Sequence, residues 1–296
     1  MGWPTGKTTG RDTVINPIVA PPIPYFGGKQ RIAHRIADLL PAHEHYVEPY
    51  CGGLSVLAAK RPSTLETVND LDGDVMHFWR ILRDRPLDFA RVCAMTPHSR
   101  AEHQLSRERD GLDDLERARR VWVALSQGRG GQLRATGWRC YIDPAGTSMG
   151  MPGYLDAYVD RMAAMAERLH HVSLECRPGL EVIAAYGANA QTLLYIDPPY
   201  LGTTRPGSAD SYRLEMKGAA DHTALADALR DTKASVVLSG YPSDLYADLY
   251  ADWHRTDLAT WTGQGNAGPR GGARVEVLWS NVPLDTHPRL DFGEGA

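Results

Sequence analysis

The chain has 296 residues, 43% of them apolar by type, and a formal net charge of −4. That length and apolar content suffice for a full α/β core plus a small second domain, while the charge does not by itself announce a nucleic-acid partner, so its distribution matters more than its sum. Cys51, Cys93, Cys140 and Cys176 are scattered without a CxxC pair or Cys/His cluster, which argues against a zinc module and for free thiols in a reducing cytoplasm; with no N-terminal apolar h-region and no long apolar run, neither a signal peptide nor a membrane span is expected.

In chain order, residues 1–20 are polar, broken by Pro and Gly, and read as a loose tail. Gly6-Lys7-Thr8 does not make a phosphate loop, because the first glycine of that motif would fall on Met1 and no strand precedes it. Residues 24–36, PYFGGKQRIAHRI, read as a loop from Pro24 to Gly28 and then a helix from Lys29 to Leu40, with Ile32, Ile36, Leu39 and Leu40 on one stripe. Lys29 would stand at the end of that helix where a cation opposes the helix dipole, a placement that makes sense if it faces a ligand carboxylate. Next, HYVEPYCGGLSVLA (45–58) predicts a short strand at Tyr46-Val47, a glycine turn at Gly52-Gly53 and a helix from about Leu54, the glycines letting backbone approach a ligand and helix approach sheet. In ETVNDLDGDV a strand at Thr67-Val68 ends at Asn69-Asp70. Asp70 lies 18 residues after Gly52, close to the spacing of about 20 at which an acid grips ribose hydroxyls, although the turn is not GxGxxG.

From residue 86 to 179 the strand–helix alternation breaks. Two segments, Leu112 to Gln127 and Tyr154 to His171, read as helices, and between them lies SQGRGGQLRATGWRCYIDPAGTSMG. This region holds 13 arginines and no lysine against 12 acids, a net of +1, leaving −5 for the rest of the chain. Arginine offers phosphate or guanine a bidentate fork, glycine lets backbone come close to DNA, and Trp138 or Tyr141 can fill the gap of an extruded base. Arg129, Arg134 and Arg139 are the contact candidates of this segment, with a long surface loop as the alternative. ERARR (116–120) reads as a solvated helix face, and the histidines, His170-His171 included, lack ligand spacing. A second glycine-rich loop, residues 263–274, joins two late strands, ATW and ARVEVLW, and offers Arg270 to a phosphate or to solvent alone.

Residues 192–200 carry the chemistry. The apolar run Thr192 to Ile196 predicts a buried strand, stopped by two prolines that cannot extend a ladder, so Asp197-Pro198-Pro199-Tyr200 forms a rigid corner at a strand's carboxyl end, where open α/β sheets bind ligands. Asp197 and the Pro198 carbonyl can each accept a hydrogen from an aromatic amine, pulling its nitrogen toward tetrahedral geometry and freeing its lone pair. The carboxylate stabilises the positive charge that develops there, and Tyr200 can stack on the base, worth about 1–3 kcal/mol. A cytosine-C5 enzyme would need a Pro-Cys nucleophile, which the chain lacks.

PYFGGK, VEPYCGGLSV, VNDLDGDV and DPPY, in that order, resemble the Dam-type DNA adenine-N6 methyltransferases, and DHTALADAL (221–229), VVLSGYPSDLYADLY (236–250) and ARVEVLWSN (273–281) continue the likeness from about Pro21 to Asn281. The resemblance implies a Rossmann-like methyltransferase sheet, mostly parallel with a late antiparallel hairpin, split as residues 21–85 and 180–296 around an inserted, mainly helical DNA-recognition domain at 86–179. It implies methyl transfer from S-adenosylmethionine to adenine N6 in duplex DNA by base flipping, without metal or membrane, with a cognate restriction nuclease as a partner such enzymes can have. Asp197, Pro198, Pro199 and Tyr200 then match the catalytic corner, and Tyr25, Lys29, Glu48, Pro49, Tyr50, Gly52, Gly53, Asp70 and Asp197 match the cofactor residues. Cys51 departs from the larger apolar residue often found there, and the short middle region departs as well. Cytosine-N4 methylation, RNA adenine methylation and a catalytically silent DNA-binding module are the rival readings.

Overall fold

The computed structural model describes residues 19–140, 150–200, 216, 218–261 and 273–284; the tail with Gly6-Lys7-Thr8, Tyr141 and Arg270 lie outside them. The first helix, α1, covers only Ala33–Leu39. Ahead of it the chain closes turns, Gly28 N–H on the Tyr25 carbonyl at 3.0 Å and Ile32 N–H on that of Lys29 at 2.9 Å. Lys29 thus precedes the helix instead of opening it, and the expected conflict with the helix dipole does not arise. Strand β1 (His45–Glu48) leads through the glycine turn to α2 (Ser55–Ala59), and β2 (Leu65–Asn69) to α3 (Gly73–Asp84). Asp72 caps α3 by accepting from Asp74 N–H at 2.9 Å.

The middle of the chain forms α4 (Pro86–Ala94), α5 (Arg100–Leu105), α6 (Asp114–Gln127), α7 (Met151–Val159) and α8 (Met162–Leu169). Asp113 caps α6 on the amides of Leu115 and Glu116. The single helix expected from Tyr154 to His171 is two, broken at Asp160-Arg161. These helices do not build a core of their own: Trp122, Phe89, Met162 and Leu169 are buried in one cluster with Phe78 and Trp79 of α3 and with Tyr46 of β1. Fully burying each such side chain is worth about 1.5–3 kcal/mol.

The sheet resumes earlier than Leu180. β3 (Val172–Glu175) adds in parallel to β2, Val68 opposite Leu174. This four-residue edge strand has one buried, one exposed and two half-buried positions, so no period shows in sequence. After α9 (Gly179–Tyr186) comes β4 (Thr192–Ile196), buried at all five positions as its apolar run predicts for a central parallel strand. Then follow α10 (Ala219–Arg230), β5 (Ser235–Gly240), α11 (Asp244–Leu249), β6 (His254–Trp261) and β7 (Ala273–Ser280). The seven strands run β3-β2-β1-β4-β5-β7-β6, parallel except that β7 is antiparallel to both β5 and β6. This is the mostly parallel, Rossmann-like sheet with a late hairpin. Among the described residues no helix is long and apolar enough to cross a membrane.

Candidate active site

Strand order reverses between β1 and β4: β2 and β3 lie on one side, β5 on the other. A crevice opens at such a point beyond the strands' carboxyl ends. Glu48 ends β1 and Asp197 follows β4, with Val47 paired to Leu194 behind them. A cavity of about 350 Å³ lies there, walled by Tyr25 to Lys29, Glu48 to Gly53, Asp70 to Asp72, Gly179, Tyr195, Asp197 and Pro199. The fold thereby gathers residues from widely separate stretches of chain into one pocket.

Lys29 and Asp197, 168 residues apart, meet closely: the ammonium lies 2.7 Å from each carboxylate oxygen and donates to the Gly27 carbonyl at 3.0 Å. The carboxylate that Lys29 faces in this structure is therefore the protein's own. Asp70 accepts from the amides of Gly52 and Asp72 at 2.9 Å, which fixes its carboxylate at the cavity wall. Glu48 is buried, accepting from the Tyr46 hydroxyl at 2.5 Å and from Leu57 N–H at 3.0 Å on one oxygen. Burial pushes its carboxyl up from the ordinary 4.5 to about 7, against the pull of those hydrogen bonds. A folded-state value above the unfolded one means that the protonated form favours folding. That stability is full below about pH 4.5 and is lost as pH rises through about 7. Glu48→Gln, which stays neutral and keeps an acceptor for Tyr46 and Leu57, is expected to gain melting temperature relative to wild type between pH 5 and pH 8. A difference that stays constant across that range in thermal denaturation would show that Glu48 does not titrate there.

The glycines of the turn also make room for a side chain of the protein itself. A Cβ on Gly52, whose φ is +41°, would lie 2.6 Å from the Tyr25 ring, and one on Gly53 would lie 2.7 Å from Tyr25 Cβ. Their space is taken by Tyr25, which lies on the turn as part of the cavity wall. The glycines of the middle segment behave likewise. Gly131 (φ +62°) accepts from Phe26 N–H at 2.9 Å, and a Cβ there would be 2.9 Å from the Pro24 oxygen, so this loop docks on the chain at Pro24–Phe26. Cys51 packs as a small apolar group, its thiol 3.7 Å from Met76 sulfur.

Of the candidate residues, Tyr25, Lys29, Glu48, Pro49, Tyr50, Gly52, Gly53, Asp70, Asp197 and Pro199 line the one cavity. Pro198 and Tyr200 lie buried behind it. The Tyr200 hydroxyl donates to Glu276, its ring meets Tyr241 edge-on at 4.8 Å, and Lys29 sits 4.8 Å from its centroid. The arginine candidates are in place but engaged: Arg134 donates to Gln132 at 2.6 Å, Arg139 lies 5.0 Å from the Tyr154 ring centroid, and Arg129 packs along Gly137. Trp138 stacks on His98 at 4.4 Å with Arg100 4.8 Å from its centroid, so its ring is occupied as well. ERARR is not a solvated face either: Glu116 holds Arg119 and Arg120, while Arg117 reaches Asp74. Much of the arginine that tips the middle region's charge is thus spent on internal ion pairs. Sequence reading missed Glu276 and Ser239. The available signal was an acid inside the apolar run VEVLW of β7 (Ala273–Ser280).

Residues 25–124 match the model of the D12 class N6 adenine-specific DNA methyltransferase. The likeness to the Dam-type enzymes is borne out over that span. No match is found among curated proteins. Among solved structures, the rRNA methyltransferase aviRa of Streptomyces viridochromogenes is 17% identical, with a TM-score of 0.37 over 88% of each chain. A precorrin 8w decarboxylase of Methanobacterium thermoautotrophicum is 10% identical, with a TM-score of 0.35 over 86% of this chain and 89% of that one. A SAM-dependent methyltransferase of Agrobacterium tumefaciens is 10% identical, with a TM-score of 0.36 over 84% of this chain and 60% of that one. These distant likenesses carry no argument about substrate.

The cavity fits S-adenosylmethionine, a flat base, a diol and two cationic centres. Its walls offer the acids Glu48, Asp70, Asp72 and Asp197 to cations and hydroxyls, the half-exposed Leu71 to a flat ring, and the buried hydroxyl of Ser55, without a partner among the described residues. No group of His, Cys, Asp and Glu among the described residues is arranged to hold a metal ion.

Proposed function

We propose that this protein transfers the methyl group of S-adenosylmethionine to the N6 amino group of an adenine extruded from duplex DNA. The observation that carries the reading is the position of Asp197: a carboxylate at the tip of the central strand, at the edge of an acid-lined cavity, with the Lys29 ammonium on both its oxygens. The cofactor supplies an electrophilic methyl on a sulfonium. Asp197 and the Pro198 carbonyl accept the two amino hydrogens, so the nitrogen lone pair is directed outward, and Asp197 then takes the proton that the methylated nitrogen loses. Asp70, held by the Gly52 and Asp72 amides, accepts from the ribose hydroxyls in this reading. Arg129, Arg134, Arg139 and Arg270 remain candidates for DNA contact, the first three after exchanging their present partners for phosphate or base. Tyr200 offers the extruded base the ring that the Lys29 ammonium now covers. Tyr200→Ala should therefore weaken capture of the target adenine by about 5- to 100-fold, the equivalent of one stacking contact, with cofactor affinity little changed. Equal losses in both, measured by fluorescence of a 2-aminopurine target and by calorimetry with the cofactor, would remove the stacking role.

The direct test is incubation of the purified protein with tritium-labelled S-adenosylmethionine and DNA from a methylation-deficient strain, followed by nucleoside analysis. Label in N6-methyladenine is the expected result. Label in N4-methylcytosine, label only when RNA is supplied, or none at all would replace this reading with one of its rivals.

A further inference from the structure

Glu276 stands where no chemistry was assigned. It lies on β7 one residue before Val277, which pairs with Gly240 at the end of β5, while β5 pairs Leu238 with Ile196 of β4. The register therefore brings Glu276 to the same end of the sheet as Asp197, across one intervening strand. It is 4% exposed and sits among Val277, Leu278 and Trp279 of its own strand. A carboxylate buried in an apolar strand is costly, and exchanging such a group for a well-packed apolar one is often neutral or stabilising. Packing thus does not account for it, but its contacts do. One oxygen, Oε1, accepts from the Ser239 hydroxyl at 2.6 Å, accepts from the Tyr200 hydroxyl, and lies 3.7 Å from the Lys29 ammonium. That ammonium is the one bound to Asp197.

Resting on the proposed adenine methylation, we propose that Glu276 is a positioning residue for the transfer: one carboxylate oxygen fixes the orientation of the Tyr200 ring and retains Lys29 when Asp197 turns to the target amino group. Asp197 cannot accept its amino hydrogen well while both its oxygens are held at 2.7 Å by Lys29. A buried ammonium released by one carboxylate needs another within reach, and Glu276 is the acid placed 3.7 Å away. The Tyr200 tether acts in the same step, because a ring free to rotate loses the stacked geometry, and misplacement by about 1 Å is enough to cost on the order of 10²-fold in rate.

Two conservative variants test this. Glu276→Gln keeps an acceptor oxygen for Ser239 and Tyr200 but no charge for Lys29, and Tyr200→Phe keeps the ring without the tether. In single-turnover methylation of the same DNA, Glu276→Gln is expected to lower the rate about 10- to 100-fold and Tyr200→Phe about 10-fold, with S-adenosylmethionine affinity by calorimetry within about twofold of wild type. The double variant should lose less than the product of the two, since both act through one oxygen. Wild-type rates in both single variants, or rate and cofactor affinity falling together as for a merely structural residue, would overturn the proposal. If Glu276→Gln does not fold, Tyr200→Phe decides alone, and an unchanged rate there overturns it. Absence of labelling by the wild type would overturn the methylation reading and this proposal with it, whereas labelling by the wild type and by both variants at equal rates overturns this proposal only.

Discussion

Asp197→Ala is expected to lower methyl transfer by at least about 10³-fold, about 4 kcal/mol of transition-state stabilisation, while S-adenosylmethionine binding stays measurable. The substitution removes an acceptor for the amino group and the counter-charge for the cation forming on it. It also removes the partner that Lys29 holds at 2.7 Å, leaving an ammonium only 6% exposed with Glu276 at 3.7 Å. Asp197→Asn keeps the shape and one acceptor oxygen but not the charge, so its rate should fall between the two. Tritium transfer into DNA and calorimetric titration of the cofactor give the two readouts. Retained turnover in the alanine variant would defeat the catalytic assignment, and loss of cofactor binding in both variants would make Asp197 a cofactor clamp instead.

The largest expected effect on stability is at Glu66, far from the chemistry. This β2 carboxylate receives Lys60 at 2.6 Å and the Arg168 fork, one of its nitrogens at 2.8 Å. The three side chains are 4–6% exposed. Glu66→Ala strands two buried cations, Lys60 at the end of α2 and Arg168 near the end of α8, and should cost about 3–5 kcal/mol. At this chain length that lowers the melting temperature by on the order of 10 °C. Glu66→Gln, which keeps hydrogen-bonding capacity but not charge, should lose less. A melting temperature within about 2 °C of wild type for Glu66→Ala would show that the network contributes nothing net. The linkage to pH has a definite sign. Burial pushes the Glu66 carboxyl up, but Arg168 and Lys60 together outweigh burial and leave it below the ordinary value. Its stabilisation is therefore present above the unfolded-state value and is lost as pH falls through the folded one.

The central strand and the acidic corner were legible in sequence because local rules suffice for them. An apolar run of five residues ended by two prolines has few readings besides a buried strand and its stop, and β4 spans the residues expected, Thr192 to Ile196. The glycine turn and Asp70 were legible for the same reason, since strand, turn and helix follow one another in the chain. The edge strand β3 was not legible: four residues with a mixed burial pattern carry too little periodicity, and only pairing with β2 makes them a strand. Nor was the fate of the arginines. Composition counts charges but not partners, and Arg109 and Arg117 are spent on Asp74, Arg119 and Arg120 on Glu116.

From the sequence alone came the α/β class, the site at the end of β4 and the chemical types assembled there, since each depends on residues within a few positions of one another. The tertiary structure alone decided which groups meet across long separations: Lys29 with Asp197, Tyr200 with Glu276, Glu66 with Arg168. Such pairs are set by strand order and register, and a one-residue shift of β7 would turn Glu276 to the opposite face of the sheet, away from Tyr200.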